Sequence, residues 1–353
     1  MEKAHTILII NPGSTSTKIA ISIDGKISES ATIPHAASDL KQFAGIWEQF
    51  PYRIKLCHDW AGKRLTECSA VVAMGGLFRP LQGGTYLVND RMLKDARANL
   101  QGEHASNLGC ALAYEIATKH NCPAFVVDPV SVDEFEPLAF YSGHPKIKRK
   151  CLSHALNIHA AVRRGADELK IFLPQSSMVI CHLGGGISIA PVRGGKIIDV
   201  NDASSDGPFS PERTGGLPLQ QFISLCFSGE YKEDEIRKLV MGKGGMVAYL
   251  GTNSILEVEQ RISQGDETAK EVYQAMAYQI AKEIGAMATV LSGKVDAIII
   301  TGGIAKSKML IGWIEERARF IAPIIIYPGE DEMLSLSQGA LRVLKGEEQQ
   351  KEY

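Results

Sequence analysis

The sequence predicts an α/β protein built from two duplicated halves that face each other across a cleft. Three observations predict it. Two three-strand meanders each open on a Gly/Ser turn. Two apolar runs each end in Gly-Gly. Helical periodicity lies between these elements.

The first meander starts with the buried-strand run Ile7-Leu8-Ile9-Ile10. Asn11-Pro12-Gly13-Ser14-Thr15-Ser16-Thr17-Lys18 follows as a turn. Ile19 to Ile23 returns as a second strand, Asp24-Gly25 turns it, and Lys26-Ile27-Ser28 starts a third. The same order recurs at Met178 to Leu183, Gly184-Gly185-Gly186, Ile187 to Ala190, Gly194-Gly195 and Lys196 to Ile198. A second pair is Ser69 to Gly76 and Asp296 to Gly303, each a strand ending in Gly-Gly. A third is Phe125 to Pro129 and Ile324 to Pro328. Fully apolar runs of this kind suit central parallel strands covered on both faces.

Val272 to Leu291 carries apolar residues at helical spacing, and Glu103 to Ala117 places Leu108, Leu112 and Ile116 on one face. Each half therefore reads β-β-β-α-β-α-β. Pro145 and the basic run Lys146, Lys148, Arg149, Lys150 break the pattern, which puts the boundary within 145–165. The charged end, Lys345 to Tyr353, is expected to fray.

The 353 residues suit two domains rather than one, and the net charge of -2 implies no nucleic-acid partner. With 45% hydrophobic and 22% charged residues the composition is that of a globular protein. Seven cysteines, an odd count without Cys-x-x-Cys, read as reduced core thiols. Thr6 to Ile10 is too short for a signal h-region, and no apolar stretch nears the ~18 residues of a membrane span. A cytoplasmic location, off the membrane, is expected.

The first turn holds Asn11, Gly13, Ser14, Ser16 and Lys18. Backbone N–H groups and hydroxyls there suit phosphate oxygens, and Asn11 suits a magnesium ion. The same residues also make an ordinary hairpin turn. The matching turn at Gly184, Gly185 and Gly186 tips the reading toward a phosphate clamp. No G-x-x-x-x-G-K-[ST] occurs, so the turn is not a Walker loop. The loop Asp206 to Gly216 is too rich in Gly and Pro for regular structure, and brings Arg213 together with Asp202, Asp206 and Glu212. Arg213 reads either as a brace for a transferring phosphoryl group or as half of a surface ion pair. His104 and His154 sit near helix starts, where anions bind and where histidines also simply cap or pack. Asp128 ends a strand, where active-site groups of α/β sheets collect. Acids at Glu330, Asp331 and Glu332 open a helix, as the helix dipole alone would favour.

Five segments, taken in order along the chain, resemble the acetokinase family: Ile9 to Lys18, His182 to Ser188, Pro208 to Gly216, Thr301 to Ala305 and Pro328 to Met333. The resemblance implies two RNase H-like domains of the actin-like ATPase fold facing across a nucleotide cleft. Residues 1–155 with a C-terminal helix at 331–353 would take a carboxylate substrate, and 156–330 the nucleotide. The activity implied is transfer of the ATP γ-phosphoryl group to a short- or branched-chain fatty acid, reversibly giving acyl phosphate and ADP. An enzyme for acetate or propionate and an ATP-binding switch without kinase activity are the alternatives. By resemblance, Asn11 and Asp331 or Glu332 hold magnesium, with Asp331 preferred. Ser14, Ser16 and Lys18 form the phosphate turn. His182, Gly184, Gly185 and Gly186 cradle ATP or ADP phosphates, and Thr252, Asn253, Gly302, Gly303, Ile304 and Ala305 meet the adenosine. Arg213, His154, Asp128 and His104 serve the phosphoryl path. Gly75 and Gly76 lie at the alkyl pocket and Arg79 at the substrate carboxylate. A homodimer or higher homo-oligomer is implied. The chain departs from the family pattern at Met74, where Arg is common, and at Ser254, where Asp is expected.

Overall fold

The computed structural model describes residues 4–353 apart from 63 and 66. The chain forms two compact units, Met1–Asp133 with Asp331–Tyr353, and Glu134–Glu330.

The first unit holds β1 (Thr6–Pro12), β2 (Ser16–Ile23), β3 (Lys26–Pro34), β4 (Ala70–Met74), β5 (Thr85–Leu87) and β6 (Ala124–Val127). The second holds β7 (Ser177–Leu183), β8 (Ile187–Arg193), β9 (Lys196–Ile197), β10 (Ala297–Gly302) and β11 (Ile324–Pro328). β1 runs antiparallel to β2 and parallel to β4, and β4 is parallel to β6. In the second unit β7 is antiparallel to β8 and parallel to β10, and β10 is parallel to β11. The spatial order β6-β4-β1-β2-β3 thus repeats as β11-β10-β7-β8-β9, which is the duplication expected from sequence.

Burial explains why the central strands are apolar throughout. Ile7, Leu8, Ile9 and Ile10 are fully buried. Leu8 and Ile10 pack with Leu108, Leu112 and Ile116, alongside the helix Gly109–His120. The helix Glu332–Leu344 also lies along β1, β4 and β6. In the second unit, Val179, Cys181, Ile298 and Ile300 share a core with the 24-residue helix Glu267–Val290. The alternate residue Ile299 meets Gly165 of the helix Ala155–Leu169, so the sheet is covered on both faces. β11 departs from the expected central placement. It is an edge strand and half exposed.

The chain breaks earlier than expected from residues 145–165. The segment from Glu134 onward belongs to the second unit because its polar groups are satisfied there. Glu134 accepts the Ile197 N–H at 2.9 Å, and the Glu136 N–H donates to the Ile198 carbonyl at 3.0 Å. Arg149, inside the expected linker, donates to the Val200 carbonyl at 3.0 Å and pairs with Asp199 at 2.8 Å.

The C-terminal end also differs. The last helix stops at Leu344, and the following residues return as β12 (Lys351–Glu352), parallel to β5. Lys351 Nζ donates to the Gly83 carbonyl, and the Tyr353 ring meets Phe78 edge-on at 5.6 Å. The tail does not fray, because its strand satisfies the edge of the first sheet. Among the described residues none of the seven cysteines forms a disulfide, and four of them are buried. Among the described residues no helix is long and apolar enough to cross a membrane.

Candidate active site

In the first unit the turn between β1 and β2 is closed by the Gly13 N–H donating to the Ser16 carbonyl at 2.8 Å. Asn11 and Lys18 are direct cross-strand partners, so both side chains stand on one face of the hairpin. Glu332, in the first turn of the last helix, meets both. Asn11 Nδ2 donates to Glu332 Oε2 at 2.7 Å, and Lys18 Nζ lies 3.4 Å from the same oxygen. Asp331, the preferred acid on sequence, precedes the helix, and its main-chain oxygen accepts from Ser335 Oγ at 2.9 Å. The contact to Asn11 belongs to Glu332.

Asp128 sits just past β6 in a left-handed backbone conformation with φ 39°. It is buried, and its Oδ1 accepts the Gly84 N–H at 2.6 Å. Strain of this kind in a non-glycine residue collects at functional positions. Gly75 and Gly76 are required by packing. A Cβ on Gly75 would lie 2.5 Å from Pro129 Cβ, and one on Gly76 2.6 Å from Asn107 Cα. Arg79 does not stand open for a carboxylate. It makes a forked pair with Asp95, at 2.6 and 3.2 Å, and its own N–H donates to Tyr353 Oη at 3.0 Å. His104 caps a short turn, with Nδ1 accepting the Ser106 N–H at 3.2 Å.

In the second unit the two glycine motifs emerge side by side. Thr301 is in register with His182 on adjacent parallel strands, so the turn after Leu183 and the turn after Gly302 leave the same edge of the sheet. Carboxyl ends of parallel strands are where α/β sheets bind ligands. Gly302 has φ 97°, and a Cβ there would stand 2.7 Å from the Leu183 carbonyl carbon. Gly303 is open, with no atom within 4 Å of where a Cβ would lie. The side chains of Ile304 and Ala305 turn into the core. Any contact of these two with a ligand is therefore made by main chain.

His154 and His182 stack with ring centroids 4.0 Å apart, and His154 Nδ1 lies 2.9 Å from Ser188 Oγ. Burial first, then the neighbouring His182 and the Arg213 charge, hold His154 well below the ordinary histidine pKa. It is neutral at physiological pH. His182 is buried, and its Nε2 lies 3.3 Å from Glu330 Oε1.

The loop Asp206 to Gly216 is packed tightly. Ser210 Oγ donates to the Gly185 carbonyl at 2.6 Å, and the Gly216 N–H donates to the Gly207 carbonyl at 2.9 Å. The loop carries the Arg213 guanidinium against Gly186. A Cβ on Gly186 would clash with Arg213 Nη1 and lie 2.7 Å from its Cζ. Arg213 Nη1 donates to the Ala203 carbonyl at 2.9 Å, and among the described residues no carboxylate pairs with it. The surface ion-pair alternative is therefore not what the structure contains. Asn253 Nδ2 donates to Glu212, and Thr252 Oγ1 to Glu257 at 2.7 Å. Ser254 caps the helix Ile255–Ser263 by accepting the Glu257 N–H, work an aspartate would also do.

Ser188 and Ser210 were not singled out from sequence, and Glu330 was read only as an acid at a helix start, not as a partner of His182. Ser188 carries a readable signal, because it faces His182 across the β7–β8 hairpin.

Residues 151–314 match the model of the acetokinase family. Along 352 residues, 98% of this chain and 99% of the other, it is 50% identical to butyrate kinase 2 of Clostridium acetobutylicum. It is 49% identical over 350 residues to the probable butyrate kinase 2 of Caldanaerobacter subterraneus subsp. tengcongensis, at 98% and 99% coverage. The crystal structure of Porphyromonas gingivalis acetate kinase superposes with a TM-score of 0.77 at 17% identity, over 95% of this chain and 99% of that one. A likeness at that identity speaks to fold alone, and the fold is the duplicated actin-like ATPase fold. With identity near one half along almost its whole length, this chain belongs to the acetokinase family.

Proposed function

We propose that this chain transfers the γ-phosphoryl group of ATP to the carboxylate of butyrate or a neighbouring short- or branched-chain fatty acid, reversibly giving acyl phosphate and ADP. The observation that carries the reading is the 50% identity to a butyrate kinase along 98% of the chain.

The chemistry needs little acid–base help. A fatty carboxylate is ionised at neutral pH, so no strong general base is required. The obstacle is repulsion between two anions, and catalysis is mostly positioning and charge stabilisation. Arg213, free of any carboxylate partner among the described residues, supports a role as the brace of the transferring group. His154 would add a neutral hydrogen bond, its ring fixed by Ser188 and the stack on His182. The turn at Gly184 to Gly186 and the open main chain at Gly303 suit the nucleotide, which supports ATP binding by the second unit. The first unit would take the acid, its alkyl chain near Gly75 to Phe78. Arg79 would then hold that segment in place through Asp95, rather than meet the substrate.

The donors of the first unit fit magnesium. Asn11 Nδ2 donates to Glu332 Oε2 at 2.7 Å, which sets an amide and a carboxylate, both carriers of hard oxygens, side by side, and magnesium keeps several waters beside few protein ligands. When bound, it would neutralise charge on the ATP phosphates. An assembly of like subunits is supported by the helix Leu219–Cys226. No residue of it is buried, and Leu219 and Ile223 are exposed. A cytoplasmic location fits substrates of this kind.

The test is a hydroxamate assay that traps acyl phosphate from ATP, magnesium and acids from acetate to valerate, branched ones included. Wild type should peak at four-carbon acids and Arg213→Ala should lose the product. No acyl phosphate from any acid, with ATP binding intact, would overturn the reading.

A further inference from the structure

The first turn is backed by a charge that neither the sequence patterns nor the proposed chemistry accounts for. Arg53, on the helix Phe50–Ala61, is fully buried. Its partners are all neutral. Nε and Nη2 donate to Gln49 Oε1 at 3.0 and 2.9 Å. Nη1 donates to the Gly13 carbonyl at 2.8 Å and to Thr17 Oγ1 at 3.2 Å, and Nη2 reaches the Ser14 carbonyl at 3.5 Å. No carboxylate pairs with it among the described residues. An arginine keeps its proton under burial of this kind, so a full positive charge is stored beneath the turn. A buried charge without a counter-ion carries a desolvation penalty, so it calls for an offset elsewhere.

The peptide geometry shows what the charge does. In a trans peptide the carbonyl oxygen and the following N–H point in opposite directions, and no peptide bond here is cis. Drawing the Gly13 and Ser14 carbonyls inward to Arg53 therefore turns the Ser14 and Thr15 N–H groups outward. Both residues are exposed, and among the described residues neither N–H meets an acceptor. Consecutive outward N–H groups form an anion-binding nest.

We propose that Arg53 is a positioning residue that builds a phosphate-binding nest from the Ser14 and Thr15 main-chain N–H groups and backs it with its own charge. The occupant's chemistry is a tetrahedral oxyanion of the phosphate class. That a phosphoryl group occupies the nest during turnover rests on the phosphotransfer reading above; the nest itself does not.

The test is amide NMR of the full ¹⁵N-labelled chain titrated with inorganic phosphate. The Ser14 and Thr15 amides should shift saturably in wild type. In Arg53→Met, which keeps length and apolar stem, phosphate affinity should fall about tenfold, the scale of one lost charge-assisted contact. Arg53→Lys keeps the charge but lacks the fork that holds both carbonyls, and should show an intermediate loss. If Arg53→Met does not fold, the lysine variant decides. Wild-type affinity in either folded variant, or no shift of either amide in wild type, would overturn the proposal. A wild type whose amides respond to phosphate but which forms no acyl phosphate would sink the kinase reading and leave the nest. Acyl phosphate formed with silent amides would do the reverse. In turnover, the folded variant should lose kcat while KM for the carboxylate holds, a split that a merely structural tie would not produce.

Discussion

Gly186 and Arg213 occupy complementary space: the guanidinium lies where a side chain on Gly186 would begin, with Cζ 2.7 Å from the place of a Cβ. The glycine is thus needed to seat the arginine beside the turn. Gly186 does not have a positive φ, so its backbone alone would tolerate alanine.

This relationship predicts an unusual phenotype for Gly186→Ala. The atoms it displaces are the far end of a flexible side chain, so Tm should change by no more than a few degrees. The guanidinium must leave its seat, and the rate should fall about 10²-fold or more, as when one transition-state donor is lost. Steady-state kinetics beside thermal melts would check it. Wild-type kcat in a folded variant would show that the position of Arg213 is not limiting.

The duplicated meanders were legible because four consecutive apolar residues and a Gly/Ser turn state strand and reversal without any tertiary knowledge. Gly186 was legible as part of a turn, but its steric partner was not, since Arg213 is distant in sequence. Arg53 was missed for a related reason. A charged residue within a helix reads as solvent-facing, and it is the acceptors on Gly13, Ser14, Thr17 and Gln49 that make its burial tolerable. β5 was missed because three residues, Thr85–Leu87, carry too little periodicity to stand out. The tail was read as frayed from its charge, yet Tyr353 is anchored by partners far upstream.

Those partners give a second prediction. Tyr353 Oη accepts the Arg79 N–H and donates to Asp95 Oδ2, both at 3.0 Å. Tyr353→Phe removes the acceptor and one of the donors to Asp95. Stability should fall by about 1–2 kcal/mol, the cost of leaving such groups unpaired. If the segment from Gly75 to Arg79 shapes the acid site, KM for the carboxylate should rise while KM for ATP stays within about threefold of wild type. Equal KM values for the acid in the two proteins would separate the tail from the site.

A third prediction concerns pH. His35 is buried behind the first turn, with Nε2 2.9 Å from Thr17 Oγ1. Burial, then the Arg53 charge, lower its pKa to about 4, against a smaller opposing effect of Asp39. In the unfolded chain the same histidine titrates near ~6.5. Below that pH the unfolded state binds the proton first, so stability is lost as pH falls from about 6.5 toward 4 and is fully present above it. Between pH 7 and pH 5 the loss from this group should be about 2 kcal/mol at ~1.36 kcal/mol per pH unit. Urea unfolding of wild type and His35→Gln at both pH values isolates it, because the other titrating groups cancel in the difference. A stability gap between the two proteins that stays constant with pH would show that His35 is not the group responsible.

The fourth prediction separates Glu332 from Asp331. Asn11 donates to Glu332 at 2.7 Å, and Lys18 stands 3.4 Å from the same oxygen, so the hairpin presents its polar face to Glu332. Asp331 precedes the helix and makes no side-chain cap bond. If Asn11 and Glu332 supply the oxygens for magnesium, Glu332→Gln keeps the shape of the site but weakens its charge. The magnesium concentration for half-maximal rate should then rise at least about tenfold, in the range seen when a partner of a metal site is lost. Asp331→Asn should leave it within about threefold. Rates measured against magnesium chloride at fixed ATP decide the matter, with melts to confirm that both variants fold. The reverse ranking would assign the metal to Asp331 and would mean that the Asn11–Glu332 contact orders the hairpin and the helix start without holding the ion.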